Sequence, residues 1–226
     1  MRIVFSGLDC PMELLAGECT TLEIENQALF ARLVLSILSE EGRYADEPYS
    51  VWEGDVELKP KDSLLVIDNP LRPPWDERGL MGAIVKSMER EYLEDEDLRR
   101  NIEELQRSMN AQLMSLGFGM NADFEFSQEW DFKRYLKLAG FGVSYQEGKS
   151  LLDNLLNFLS LALDAGEKRV LLFVNLKTFL SENDFRLFLE QVYFQKTRVL
   201  LLENKRDELL YEHEKKRLVD QHFIES

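Results

Sequence analysis

The chain has 226 residues, 45% of them hydrophobic and 31% charged, with a net charge of −15. That composition describes one well-filled soluble core with room for a second subdomain, and taken alone it argues against a non-specific nucleic-acid binder with a positive footprint. Cys10 and Cys19 are the only cysteines and show no Cys/His ligand spacing, so reduced thiols in a cytoplasmic protein are expected. The start, MRIVFSGLDCPMELL, has no signal-type apolar core after Arg2. The longest apolar stretch, around LLDNLLNFLSLALDA, is interrupted by Asp153, Asn154, Asn157 and Asp164 and reads as a buried helix, with no membrane span expected.

In chain order, RIVFSGL, MELLAG and TTLEI read as short strands punctuated by Pro11 and Gly17. ENQALFARLVLSILSEEG is a helix, with Leu29, Leu33, Ile37 and Leu38 near 3.6-residue spacing and a stop at Gly42. SVWEGDVEL is a hairpin turning at 53–55, and SLLVIDN is a buried strand. Pro70, Pro73 and Pro74 then break regular structure, which marks a subdomain boundary. From 76 to about 116 the chain is helical and rich in charge. Leu80, Ile84, Met88 and Tyr92 recur every four residues. After LEDED, the residues Leu98, Ile102, Leu105, Met109, Leu113 and Leu116 form a narrow stripe of coiled-coil type. These two helices are expected to pack as a hairpin, with their remaining apolar surface turned toward another copy of the chain.

FGMNADFEFSQ interrupts the helices, EWDFKRYLKLAG is a short helix ended by Gly140, and SLLDNLLNFLSLALDAG is a buried helix. Residues 168–204 read as strand, loop, helix, strand. Their apolar runs at 170–174 and 199–202 have the composition of buried parallel strands, and Ser181 opens the helix between them. The last residues read as a polar tail. The expected fold is therefore α/β, with a discontinuous head over 1–75 and 142–226 built on a parallel sheet, and an inserted helical leg over 76–141.

Nucleotide-binding proteins share this grammar, but their phosphate loop needs G-x-x-x-x-G-K-[ST] between strand and helix. The matching junction here, TTLEIENQALFARL, has no glycine or lysine and places Glu23 and Glu25 where a nucleotide's charge would go. Asn175 stands where an NTPase carries a magnesium-binding acid, and an amide is the weaker ligand. His213 and His222, the only histidines, fall in the tail, and neither cysteine neighbours them in sequence. No enzyme activity is expected.

Acids and bases nevertheless cluster. Asp123 and Glu125 in DFEF share one side of an extended segment, and Glu129 and Asp131 follow. Such oxygen-only sets suit calcium or magnesium; half-buried between Phe124 and Phe126, the first two need either a cation or hydrogen-bond donors. LEDED reads first as a solvated junction whose acids favour the start of the next helix. Lys133, Arg134 and Lys137 share one side of the short helix, while Lys215, Lys216 and Arg217 form the longest basic run. Each cluster alone is an ordinary solvated surface, yet several copies lining one cavity would hold a phosphate backbone. From residue 166 onward 11 Lys and Arg meet 11 Asp and Glu, which leaves 16 against 31 of the total 27 against 42 for the rest. The excess acid lies entirely in the first three quarters.

The order of these segments is similar to a known family. RIVFSGLDCPMEL, the loop-less TTLEIENQALFARLV junction, SLLVIDNP, an acidic helical insertion, DFEF…YLKLAGFGV, LLFVNLKTFLSENDF and VLLLENKRDELLY together resemble the small adaptation protein of type II-A CRISPR systems. The resemblance spans nearly the whole chain. It implies a degenerate phosphate-loop-NTPase-like head, a helical leg, a homotetrameric ring around double-stranded DNA ends, and bound calcium near the hinge. It also implies a role without nucleotide hydrolysis in spacer acquisition, with the CRISPR integrase complex and the RNA-guided effector nuclease as partners. Asp123 and Glu125 match the family's acidic stretch and Lys137 a basic position before its turn, whereas FSQ after Glu125 and NPLRPPWDERG depart from it. Two readings of other classes stand beside this one: a metal-dependent phosphodiesterase or nuclease using the carboxylates, and a scaffold that binds only proteins.

Overall fold

The computed structural model describes residues 1–122 and 130–225. The chain divides into two compact units, a head of Met1–Trp75 with Ser144–Ser226 and a leg of Asp76–Val143. The head strands are β1 (Arg2–Phe5), β2 (Met12–Glu13), β3 (Cys19–Ile24), β4 (Tyr49–Glu53), β5 (Val56–Leu58), β6 (Leu64–Ile67), β7 (Val170–Val174), β8 (Val199–Glu203) and β9 (Glu214–Val219). The helices are α1 (Gln27–Leu38), α2 (Pro60–Ser63), α3 (Arg78–Glu94), α4 (Glu96–Gly117), α5 (Phe132–Leu138), α6 (Leu151–Asp164) and α7 (Glu182–Gln195).

The first strands do not all join one sheet. β1 and β2 pair antiparallel with each other, and β1 with the β4–β5 hairpin, in the order β2-β1-β4-β5. Gly54 turns that hairpin with φ +58, a conformation that disfavours any residue with a Cβ. The segment MELLAG contributes only the two residues of β2. The five other strands form a parallel sheet in the order β6-β7-β8-β3-β9. β3, β7 and β8 are buried along their whole length, which explains the continuous apolar runs of β7 and β8, whereas β3 carries Thr20, Thr21 and Glu23 into the interior. The polar tail expected at the C-terminus is instead β9, a parallel edge strand paired with β3 from Cys19↔Glu214 to Ile24↔Val219.

The three long head helices each begin at a side-chain cap. Asn26 accepts from the Leu29 N–H at the start of α1, Ser150 and Asp153 form a reciprocal capping box on α6, and Ser181 accepts from the Asp184 N–H on α7. α6 buries Leu155, Phe158 and Leu159, with Trp75 edge-on to Phe158 at 5.5 Å. α7 buries Phe185, Phe188 and Val192, with Phe188 edge-on to Phe173 of β7 at 5.7 Å.

In the leg, Asp95 ends α3 and caps α4 through the Leu98 N–H. Tyr92 of α3 stacks on Phe132 of α5 at 4.8 Å and reaches Glu103 of α4 with its hydroxyl. α4 buries no residue. Only Ile102 of its stripe is half-buried, and Leu98, Leu105, Met109, Leu113 and Leu116 are exposed. Among the described residues no helix is long and apolar enough to cross a membrane.

Candidate functional site

Open parallel sheets bind ligands beyond the carboxyl ends of their strands, so the ends of β3, β7 and β8 are where chemistry would sit. The turn after β3 is too short for a phosphate loop. Only Glu25 and Asn26 separate Ile24 from the first residue of α1; Asn26 caps that helix, and the Glu25 N–H is bonded to the Val219 carbonyl at 2.9 Å. Asn175, after β7, adopts the left-handed conformation, and its side-chain oxygen accepts from the Asn204 N–H at 3.0 Å. It therefore fastens the end of β8.

Behind this short turn the chain supplies its own charges. Alternate residues of a strand share a face, which aligns Thr21 and Glu23 of β3 with Glu214 and Lys216 of β9, and Glu203 closes β8 beside them. Glu23 and Glu203 are each 2% exposed. Lys177, from the turn after β7, reaches Glu214 at 2.7 Å, Asp207 at 3.1 Å and Glu23 at 3.6 Å. Lys216 reaches Asp207 at 3.2 Å and both Glu23 and Glu214 at 3.7 Å. The Thr21 hydroxyl donates to Glu214 at 2.6 Å, and the Lys177 N–H donates to Glu203 at 3.0 Å. Three carboxylates, Glu23, Asp207 and Glu214, thus share two ammonium groups, and Glu203 stands beside them, held among the described residues by a backbone N–H alone. Lys177 also lies 4.9 Å from the Phe185 ring centre and 5.8 Å from that of Tyr211.

Titration follows this imbalance. Burial pushes the Glu203 carboxyl up to about 7, with Lys177 opposing the shift and Glu214 and Glu23 reinforcing it. Burial also raises Glu23, against the pull of Lys216 and Lys177. For Asp207 burial is outweighed by hydrogen bonds from the Leu209 N–H and both lysines, which hold it below the ordinary carboxylate range. Lys177 is held above its ordinary value, because Glu214 and Asp207 outweigh its desolvation. Glu23 thus acts differently from the sequence expectation: it does not face an incoming phosphate but points into a closed charge network. The sequence carried a signal for it, since TTLEI and VLLLE each hold one acid in an otherwise buried run, and a buried acid requires a partner.

The candidate residues of the leg fare unevenly. Asp123, Glu125 and Glu129 lie outside the described residues. Asp131 is the N-cap of α5, and its Oδ1 accepts from the Arg134 N–H at 2.9 Å. Among the described residues no group of three or more His, Cys, Asp or Glu could hold a metal ion, so no described site fits calcium. Lys133, Arg134 and Lys137 are all exposed on α5. Lys133 is drawn to Glu89 of α3 at 2.8 Å, whereas Arg134 and Lys137 pair with no carboxylate side chain among the described residues. In the head, Lys215 pairs with Glu18 and Arg217 with Glu225, so the longest basic run is largely neutralised in place.

An α/β head whose strand-to-helix turn leaves no space for a phosphate loop, carrying a separate helical leg, defines a class of parallel-sheet proteins without that loop. A family model described as CRISPR-associated protein (Cas_Csn2) matches residues 45–223, and the chain belongs to that family, the small adaptation proteins of type II-A CRISPR systems. The crystal structure of Stu0660 of Streptococcus thermophilus is similar in fold, with a TM-score of 0.58 at 14% identity over 97% of this chain and 74% of that one. No curated protein matches the sequence.

Proposed function

We propose that this protein binds the ends of double-stranded DNA without sequence preference, as a ring of four copies, and that it supports spacer acquisition in the cytoplasm without cutting DNA. The observation that carries the reading is the pair Arg134 and Lys137, exposed and without a carboxylate partner among the described residues in a chain of net charge −15. One copy with that charge repels a phosphate backbone, whereas a ring repeats each inward cation in every subunit and keeps the acid outside. The exposed stripe of α4 supplies apolar surface for self-association. The CRISPR integrase complex and the RNA-guided effector nuclease are the proposed partners, and calcium at Asp123 and Glu125 the proposed metal.

Competition between linear DNA and the same DNA as a closed circle tests the reading, because a ring threads only an end. Linear DNA is expected to win. If about four to eight phosphates are neutralised, log affinity falls with log salt at a slope of roughly −4 to −7. Reversing charge at Arg134 and Lys137 weakens binding alike for all sequences, since backbone contacts carry no sequence information. Equal affinity for circle and line overturns threading, and cleavage of the DNA in magnesium replaces the reading by a nuclease.

A further inference from the structure

Residues 204–212, between β8 and β9, have no helix or strand of their own. Their hold on the sheet is almost wholly electrostatic. The Asn204 N–H is bonded to Asn175, and the Asp207 N–H donates to Glu23 Oε1 at 3.3 Å. Lys177 donates to Asp207 Oδ2 at 3.1 Å, and Lys216 donates to the Asp207 carbonyl at 2.8 Å and to the Leu209 carbonyl. One aromatic contact, Tyr211 edge-on to Phe185 at 5.0 Å, completes the attachment. Beneath the segment lies a cavity of about 350 Å³ whose lining includes Lys177, Ser181, Phe185, Glu203, Asp207 and Tyr211.

We propose that residues 204–212 form a proton-linked strap, closed when the carboxyl cluster holds a proton and loosened when the proton leaves. Asp207 is the clasp, and both lysines that hold it are also claimed by Glu23 and Glu214. Glu203 stands at the centre. It is faced by Lys177 from the turn after β7, by Cys19 and Glu23 of β3 and by Glu214 of β9, and it lines one cavity with Asp207 of the strap. Glu182 of α7 and Lys205 and Arg206 of the strap share its cavity. Protonated, Glu203 leaves three carboxylates to two ammonium groups. Ionised, it adds a fourth charge that draws on Lys177, the residue that grips Asp207, and is repelled by Glu214 and Glu23.

The sign follows from linkage. Glu203 binds its proton more tightly in the closed state, with the value of about 7 given above, than when solvated near 4.3, so closure weakens as pH rises between those values and then levels off. Glu23, also raised, acts in the same direction. Asp207 is lowered, so its contribution is lost only as pH falls below the ordinary carboxylate range, and Lys177 titrates far above the window. Lys205 and Arg206 ride on the strap, so the cavity and two cations move together.

Hydrogen exchange of 204–212 in the full-length protein, corrected for intrinsic rates and referred to α1, reads the strap directly. Protection of this segment is expected to fall about tenfold between pH 5.5 and pH 8 while α1 stays constant. In Glu203→Gln, which keeps the acceptor for the Lys177 N–H, protection is expected to be high and to fall much less with pH than in the wild type, the remaining slope coming from Glu23. A wild-type ratio that does not change with pH overturns the proposal, even if the variant fails to fold. A Glu203→Gln profile that tracks the wild type overturns it equally.

Discussion

Lys177 decides whether the interior of the head is a stable salt network or a set of stranded charges. Its nearest partner, the Glu214 side chain, is 0% exposed, and Lys216 stands farther from it, at 3.7 Å. Removing one partner of a buried pair leaves an uncompensated charge, which costs about 3–5 kcal/mol. Lys177→Met is therefore expected to lower the melting temperature by several degrees at pH 8, and adding Glu214→Gln to restore part of the loss. A single variant as stable as the wild type would show that the network contributes little. At this scale the sequence reveals that Glu23 and Glu203 are buried acids, because they interrupt apolar runs. It cannot reveal which base answers them, because Lys177 and Lys216 come from distant segments and look like ordinary surface lysines.

Elements were legible where local chemistry dictates them. The cap at Ser181, the turn at Gly54 and the stop at Gly140 all act through a few neighbouring residues, whereas α1 ends at Leu38, short of the stop expected at Gly42. β9 was not legible, since EKKRLV reads as a solvated basic run, and it becomes a strand only through the β3 edge it covers. Alternation in it is real, with Glu214 and Lys216 turned toward the charge network, but charge hides the period. α4 shows the opposite case. Its stripe was plain in the sequence, yet the half-buried side includes Ile102, Gln106, Asn110 and Met114, and Leu105 is 71% exposed. Replacing Leu105 and Met109 by Asp tests the role proposed for that stripe in assembly, each buried aliphatic side chain being worth about 1.5–3 kcal/mol. Light scattering is expected to show smaller species with unchanged helix content, and an unaltered mass would move the interface elsewhere.

For the whole molecule, the prolines at 70, 73 and 74 fall just before the passage from one compact unit to the other at Trp75, and the parallel sheet followed from the apolar runs. The separate antiparallel sheet did not, because short strands do not declare which sheet they join. The proposed calcium also acts at this scale, as a ligand of the folded state alone. A concentration a hundredfold above the dissociation constant stabilises by about 2.7 kcal/mol, and Asp123→Ala is expected to abolish the matching rise in melting temperature. An equal rise in that variant would remove Asp123 from the ligand set.

The position of β3 has a consequence for how the chain is made. Its two neighbours in the sheet are β8 and β9, so Cys19 waits for Val199 on one side and Glu214 on the other. During synthesis this strand emerges early and has no native neighbour until nearly the entire protein has been translated. The helical hairpin of α3 and α4, whose contacts are local, forms long before the head around it. Until then the nascent chain carries a strand open along both edges, a template for pairing with the wrong chain. Premature termination before residue 199 would leave both edges open permanently, and such fragments are expected to aggregate.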